Sequence, residues 1–268
     1  MDYALTYRHD RMKVGGNNNN YKHNLERTHM SLDIIRGVTA TAPKVMIYGL
    51  AGVGKSTLAS KLKNPIFLDF EGGLNYLGVA RTKQYQKLED FYKDLVDLYH
   101  VKEREFDTIV IDSADWMMRK IVEQTAGIDS KNLKETLVRS NGGYGAGKQI
   151  LENEVRSKLL PYLVVLNKKG YGICLIAHAE MKNMHDAEGV DTKQIAPKID
   201  VNTMNTFVEW CDNVFYLKKD LDGSRKLVLE SDGIALAKNR LGKTGEVDID
   251  QTDINEVLMP INNKEKEK

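Results

Sequence analysis

The run "KVMIYGLAGVGKST" (Lys44–Thr57) decides how the rest of the chain is read. Its first half is a short apolar stretch of the kind that forms a buried strand. Its second half, Gly49-Leu50-Ala51-Gly52-Val53-Gly54-Lys55-Ser56, matches G-x-x-x-x-G-K-[ST] in full, and Thr57 opens a predicted helix. Glycines let a backbone curl until successive N–H groups point at phosphate oxygens. Lys55 can then reach the β- and γ-phosphates of a nucleotide, in binding and in catalysis. The Ser56 hydroxyl can ligate Mg²⁺, and the helix start at Thr57 adds its dipole. Two other stretches only imitate the motif. "GGYGAGK" (Gly142–Lys148) puts Gln149 where Ser or Thr belongs, and "RLGKTG" (Arg240–Gly245) has Ala237 in place of the first glycine.

The next apolar run, "IFLDFEGGL" (Ile66–Leu74), carries a strand out into a carboxylate and two glycines. Strand ends of a parallel sheet converge on the ligand crevice. Glu71 is therefore placed to orient and polarise an attacking water, while Gly72 and Gly73 leave room for nucleotide. A third run, "FDTIVIDS" (Phe106–Ser113), ends its apolar stretch at Asp112. A carboxylate at such a strand tip holds Mg²⁺, usually through water, which makes Ser56 and Asp112 the metal pair. In many phosphate-loop ATPases a glutamate directly follows this aspartate. Here Ser113 follows, so the base has to come from elsewhere, and Glu71 supplies one.

The 268 residues, 41% hydrophobic and 29% charged, suit one large α/β domain or two small ones. Lys+Arg total 39 against 38 Asp+Glu, so any grip on nucleic acid has to be local. Cys174 and Cys211 lack metal-ligand spacing and fit a reducing cytoplasm. No apolar run reaches the ~18 residues of a transmembrane helix, so no membrane partner is expected. Residues 1–30, with a four-Asn tract and no apolar period, read as a disordered leader or as a non-native extension before a start at Met30.

From Lys44 onward strands alternate with helices. Helices are expected over Thr57–Lys63, Leu88–Leu98 and Ala114–Gln124, and over Gln149–Leu166 with a kink or break at Pro161. Further strands are expected in "YGICLIAHAE" and "WCDNVFYLKK", with "RKLVLES" and "GIALAKN" as an antiparallel pair. Met181–Asn202 reads as a polar loop. The pattern predicts one α/β domain over 43–258, with a central mostly parallel sheet flanked by helices and antiparallel strands toward the C-terminus. A frayed charged tail follows over 259–268.

Several motifs, in order, resemble the RecA/RadA/DnaB group of phosphate-loop ATPases, over Pro43 to about Asp250. "FLDFEGGL" resembles that group's strand with an acidic tip, and "IVIDS" its Walker B strand. "GICLIAHAE" resembles the strand whose polar end senses γ-phosphate, a role that falls to His178. "ALAKNRLG" (Ala235–Gly242) resembles the Lys-Asn-Arg-x-Gly motif, whose basic pair reaches a neighbouring subunit's nucleotide. Strand alternation sets Lys238 and Arg240 on one side, about 7 Å apart, ready to share an anion.

Small phage-encoded RecA-like proteins, single-strand annealing recombinases among them, are the nearest members suggested. The resemblance implies a single RecA-type P-loop NTPase domain, an ATPase using ATP and Mg²⁺ in a bacterial host's cytoplasm. It also implies a ring or filament of self-associated copies on single-stranded DNA, with a single-strand-binding protein as a candidate partner. Two loops line the DNA path in that group, and the matching segments here are about Arg139–Lys148 and Met181–Asn205. Arg139, Tyr144 and Lys148 combine two cations with a stacking ring, and Lys182 and Lys193 add charge in the second loop. Annealing or strand exchange is the expected activity. A ring helicase or its loader, or a nucleotide-gated DNA-binding module with negligible turnover, are the alternatives.

Overall fold

The central strands are buried on both faces, which is why they read as near-continuous apolar runs. In β1 (Lys44–Gly49), Met46 and Tyr48 face one core while Val45 and Ile47 face the other. The same split separates Leu68 from Phe67 in β2 (Pro65–Asp69). The computed structural model describes residues 34, 41–126, 144, 146–185 and 191–259, so the expected leader and all but Met259 of the expected tail lie outside the described residues. The chain divides into two units, Met1–Thr39 and Ala40–Lys268, and the sheet belongs to the second.

The sheet runs β10 (Glu246–Asp248), β8 (Arg225–Val228), β7 (Asn213–Lys219), β1, β5 (Gly172–His185), β4 (Thr108–Asp112), β2, β3 (Ala80–Arg81). From β7 to β3 every neighbouring pair is parallel. β8 and β10 then run antiparallel, as expected for the C-terminal strands. Helices cover both faces. Phe91 of α2 (Leu88–His100) and Met117 of α3 (Ala114–Ala126) join the first core, while Leu58 of α1 (Lys55–Ala59) joins the second. This is the α/β architecture that the sequence predicts.

Four local expectations change. The helix after the glycine loop ends at Ala59 instead of Lys63, because Lys61 and Leu62 tighten to bonds with Leu58 and Ala59, each 3.1 Å. The long helix starts earlier and does not break at Pro161. It runs through α4 (Ala146–Glu154), a π-helical turn at Val155–Leu159, and α5 (Leu160–Lys168). Pro161 follows directly on that π-helical turn, where the bonding pattern has already departed from the α-helical one. The expected loop from Met181 is a β-hairpin. β6 (Asp191–Pro197) pairs with β5 from Ala179↔Pro197 to His185↔Asp191, and α6 (Val201–Trp210) follows. Most residues of the hairpin are polar, so the sequence shows only a short apolar alternation there. Finally, "GIALAKN" contributes only β9 (Lys238–Asn239) to the side of β7, since Ile234 and Leu236 bond to Ile195 of β6 instead.

Phe70, directly after β2, is fully buried and packs edge-on against Phe91 with centroids 4.9 Å apart. It anchors the strand end that carries Glu71. Phe70→Ala should lower stability by about 3–5 kcal/mol, the usual range for an emptied aromatic site. A denaturant midpoint within error of the unsubstituted protein would show that this anchor does not hold the strand end.

Candidate nucleotide site at the strand ends

The glycine loop is shaped by its glycines at specific points. Gly52 and Gly54 take φ of 75° and 100°, conformations open to glycine but strained for other residues. A side chain at Gly49 would collide with the carbonyl of Leu217 on the neighbouring strand. Lys55 is buried and folds back on the loop, donating to the carbonyls of Gly49 (3.2 Å) and Leu50 (3.0 Å). Burial holds its pKa below the ordinary lysine value, although Glu71, Asp112 and Asp115 pull the other way.

A cleft of about 270 Å³ collects Gly52, Gly54, Lys55, Ser56 and Thr57 with Glu71, Asp112 and His178. Every cofactor-facing charged group expected on the parallel strands is therefore in one place. Ser56 Oγ donates to Asp112 Oδ2 at 2.6 Å. Burial pushes the Asp112 carboxyl up to about 6, with Glu71 and Asp69 adding repulsion and the Ser56 hydrogen bond opposing. Two hard oxygens pointing at one another, one of them a carboxylate short of positive charge, suit Mg²⁺. Among the described residues no three His, Cys, Asp or Glu side chains form a metal cage. Mg²⁺ beside phosphates needs only one or two protein oxygens, so the donor set fits.

Two residues not singled out from sequence set the geometry. Asp69 is buried, and its Oδ1 accepts from the backbone N–H of Glu71 (3.0 Å) and of Gly72 (2.6 Å). This side chain-to-backbone turn bends the chain after β2, with Gly72 at φ 81°. Asp115, one residue into α3, accepts from His178 Nδ1 at 3.0 Å and from the His178 backbone N–H at 3.1 Å. Burial raises the Asp115 carboxyl, but the bonds and charge of His178 outweigh it and bring the net value below the ordinary range. With Nδ1 turned to Asp115, His178 Nε2 faces Glu71 Oε1 at 3.7 Å. The spacing Asp-x-x-Gly at Asp69–Gly72 was a readable turn signal. Nothing local announces Asp115, whose partner lies 63 positions away.

The remaining expected site residues sit elsewhere. β9 pairs with the start of β7 (Asn213↔Asn239), whereas the cleft lies at the other strand end, where Gly49 pairs with Leu217. Lys238 does not share an anion with Arg240. Its ammonium donates to the carbonyls of Val208 (2.6 Å), Glu209 (3.1 Å) and Cys211 (2.7 Å), the unpaired acceptors at the end of α6. Arg240 reaches Asp212 Oδ1 at 3.2 Å and keeps 57% of its side chain exposed. Of the expected DNA contacts, Tyr144 is fully exposed and Lys193 is exposed, whereas Lys148 pairs with Asp200 at 3.4 Å. Lys182 is largely buried against Glu180. Arg139 lies outside the described residues.

A phosphate loop, a strand-tip aspartate and a second acidic tip on one parallel sheet edge define a P-loop nucleotide-binding α/β protein. Residues 41–241 match the family model of the AAA domain, and the chain belongs to that family. It is similar to the SPbeta prophage-derived uncharacterized protein YorG of Bacillus subtilis (strain 168), at 25% identity over 229 residues. The match covers 80% of this chain and 65% of that protein's length. Among solved structures the RadB recombinase matches with a TM-score of 0.46 and 18% identity, over 78% of this chain and 89% of that one. That likeness is too loose to carry an argument. Among the described residues no helix is long and apolar enough to cross a membrane.

The Asp112 value carries a stability sign. A carboxyl whose folded pKa is raised binds its proton more tightly when folded, so ionising it costs stability as pH rises through about 4 to 6. The penalty is full at neutral pH, on the order of 3 kcal/mol. Without nucleotide or metal, Asp112→Asn should therefore unfold at higher temperature than the unsubstituted protein at pH 7.5, with the difference vanishing near pH 4. Equal midpoints at pH 7.5 would show that the carboxylate is not penalised.

Proposed function

We propose that this protein is a RecA-type ATPase that binds ATP with Mg²⁺, assembles from several copies on single-stranded DNA, and promotes annealing or strand exchange. The observation that carries the reading is the placement of Glu71. It stands opposite His178 in the cleft that also holds Lys55 and the Ser56–Asp112 pair. Ser113 occupies the position after Asp112, and a serine hydroxyl does not serve as a base of the required strength. Glu71, facing His178 across 3.7 Å, is the carboxylate assigned to the γ-phosphate end.

Lys55 binds the β- and γ-phosphates, exchanging its bonds to the loop carbonyls for bonds to phosphate oxygens. Ser56 and Asp112 would hold Mg²⁺, which would screen the phosphate charge. Glu71 accepts a hydrogen bond from the attacking water and takes its proton. His178, fixed by Asp115, positions Glu71 and reports on the γ-phosphate. The prophage origin of one relative supports a phage-encoded protein working in a bacterial cytoplasm. Exposed Tyr144 and Lys193 support a stacking and charge contact with single-stranded DNA.

Single-stranded DNA should stimulate ATP hydrolysis, and Glu71→Gln should retain bound ATP while losing turnover by roughly 10²-fold or more. Full turnover in that variant would move the base elsewhere, and an absence of DNA stimulation would sink the recombination reading.

Arg240 sits at the sheet end opposite its own cleft, so it can serve only the site of another copy. An arginine supplied in this way contributes about 10³–10⁵ in rate in other phosphoryl-transfer enzymes. Arg240→Ala should bind ATP and hydrolyse it poorly, and mixing it with Lys55→Ala subunits should restore part of the activity. No rescue at any ratio, in variants that still assemble, would return Arg240 to the plain surface.

A further inference from the structure

Gly54 directly precedes Lys55, and a methyl group placed on it would lie 2.7 Å from Nη1 of Arg225. A guanidinium from β8 therefore rests against the phosphate loop. Asp250 fixes it there. Arg225 Nε donates to Asp250 Oδ1 at 3.0 Å, Nη2 donates to the same oxygen, and the Arg225 backbone N–H donates to Oδ2 at 3.2 Å. These bonds occupy one edge of the fork. They leave Nη1, the nitrogen beside Gly54, without a hydrogen-bond partner among the described residues.

The strand order says which part of a nucleotide lies there. β5 and β4, bearing His178 and Asp112, and β2, which leads into Glu71, stand on one side of β1, and β7 and β8 stand on the other. Glu71 and Asp112 mark the γ-phosphate end. A phosphate chain laid across the loop from that end runs toward β8, and its α-phosphate falls on the side of Arg225. We infer that Arg225 binds the α-phosphate of the nucleotide through Nη1, as a guanidinium oriented by Asp250. The inference rests on the nucleotide reading of the cleft. Planar geometry and a permanent charge suit arginine to phosphate. Because ATP and ADP share the α-phosphate, the contact strengthens both complexes alike and does not select the transition state.

The test is direct binding of ATP and of ADP, each with Mg²⁺, followed by calorimetry on the full chain. Arg225→Gln should weaken both by a similar factor, roughly ten- to a hundredfold, the scale of one hydrogen bond to a charged group. Asp250→Asn keeps the guanidinium but loosens its tether, and should weaken both nucleotides several-fold. Lys226→Gln, a change next door on β8 where the side chain pairs with Asp220 at 2.8 Å, should leave both affinities unchanged. A melting temperature for each variant separates lost fold from lost contact, and if Arg225→Gln does not fold, Asp250→Asn decides. Unchanged affinity in the folded variants overturns the inference, as does a loss confined to ATP, which would put Arg225 at the γ-phosphate. Failure of the unsubstituted protein to bind either nucleotide would overturn the phosphate-loop reading itself, and this inference with it.

Discussion

Parallel pairing of β1, β2, β4 and β5 is the constraint on which the site depends. Strands that run the same way end on the same side, so residues distant in sequence arrive together without a dedicated scaffold. Asp69 pairs with Asp112, Asp112 with Ile176, and Gly49 with His178. Asp112 and His178 are thus fixed by backbone register, while Ser56 follows β1 at the start of α1 and Glu71 follows β2 by two residues. A one-residue slip in any strand would turn the cleft residue into the core and a core residue into the cleft. The two apolar clusters prevent that slip, since each face of each strand already has its own side chains to bury.

Charge explains why the cleft suits a metal-bound anion. Asp69, Glu71, Asp112 and Asp115 gather near Lys55, and burial lowers that lysine's hold on its proton. Carboxylates outnumber the cation, and although burial is the main cause of the raised Asp112 value, Glu71 and Asp69 add to it. A bare polyphosphate would meet repulsion from them, whereas one carrying Mg²⁺ brings charge that offsets it. Nucleotide and metal are therefore expected to bind as a unit.

The glycine loop and both acidic strand tips were legible because each is a local pattern whose meaning depends on a few adjacent residues. Asp115 and Lys238 were not. Asp115 looks like an ordinary first-turn acid of a helix until β5 brings His178 to it. Lys238 sits in a motif that suggests a ligand, yet three carbonyls at the end of α6 take its ammonium. Both depend on which elements become neighbours, and spacing along the chain does not encode that. The pairing of β5 and β6 escaped for a different reason: the apolar alternation of Ala179 and Met181 stops at Lys182-Asn183, and β6 buries Ala196 within a mostly polar run, too little to read as a strand.

In the proposed assembly the two ends of the sheet have different tasks. The candidate nucleotide cleft opens at one end, and Arg240 stands exposed at the other, its guanidinium paired with Asp212, which also binds Lys44 at 3.3 Å. Asp212 is thus already neutralised by a second cation, so releasing Arg240 does not strand a lone charge. A contact that joins one end of a subunit to the other end of the next is heterologous, and it closes into a ring or continues as a filament according to the rotation between copies. Each site in such an array is completed by a neighbour, except at an open end. Hydrolysis then depends on assembly. Nucleotide binding, on that proposal, does not, because Lys55, Ser56 and Asp112, the groups assigned to the phosphates and Mg²⁺, come from a single chain.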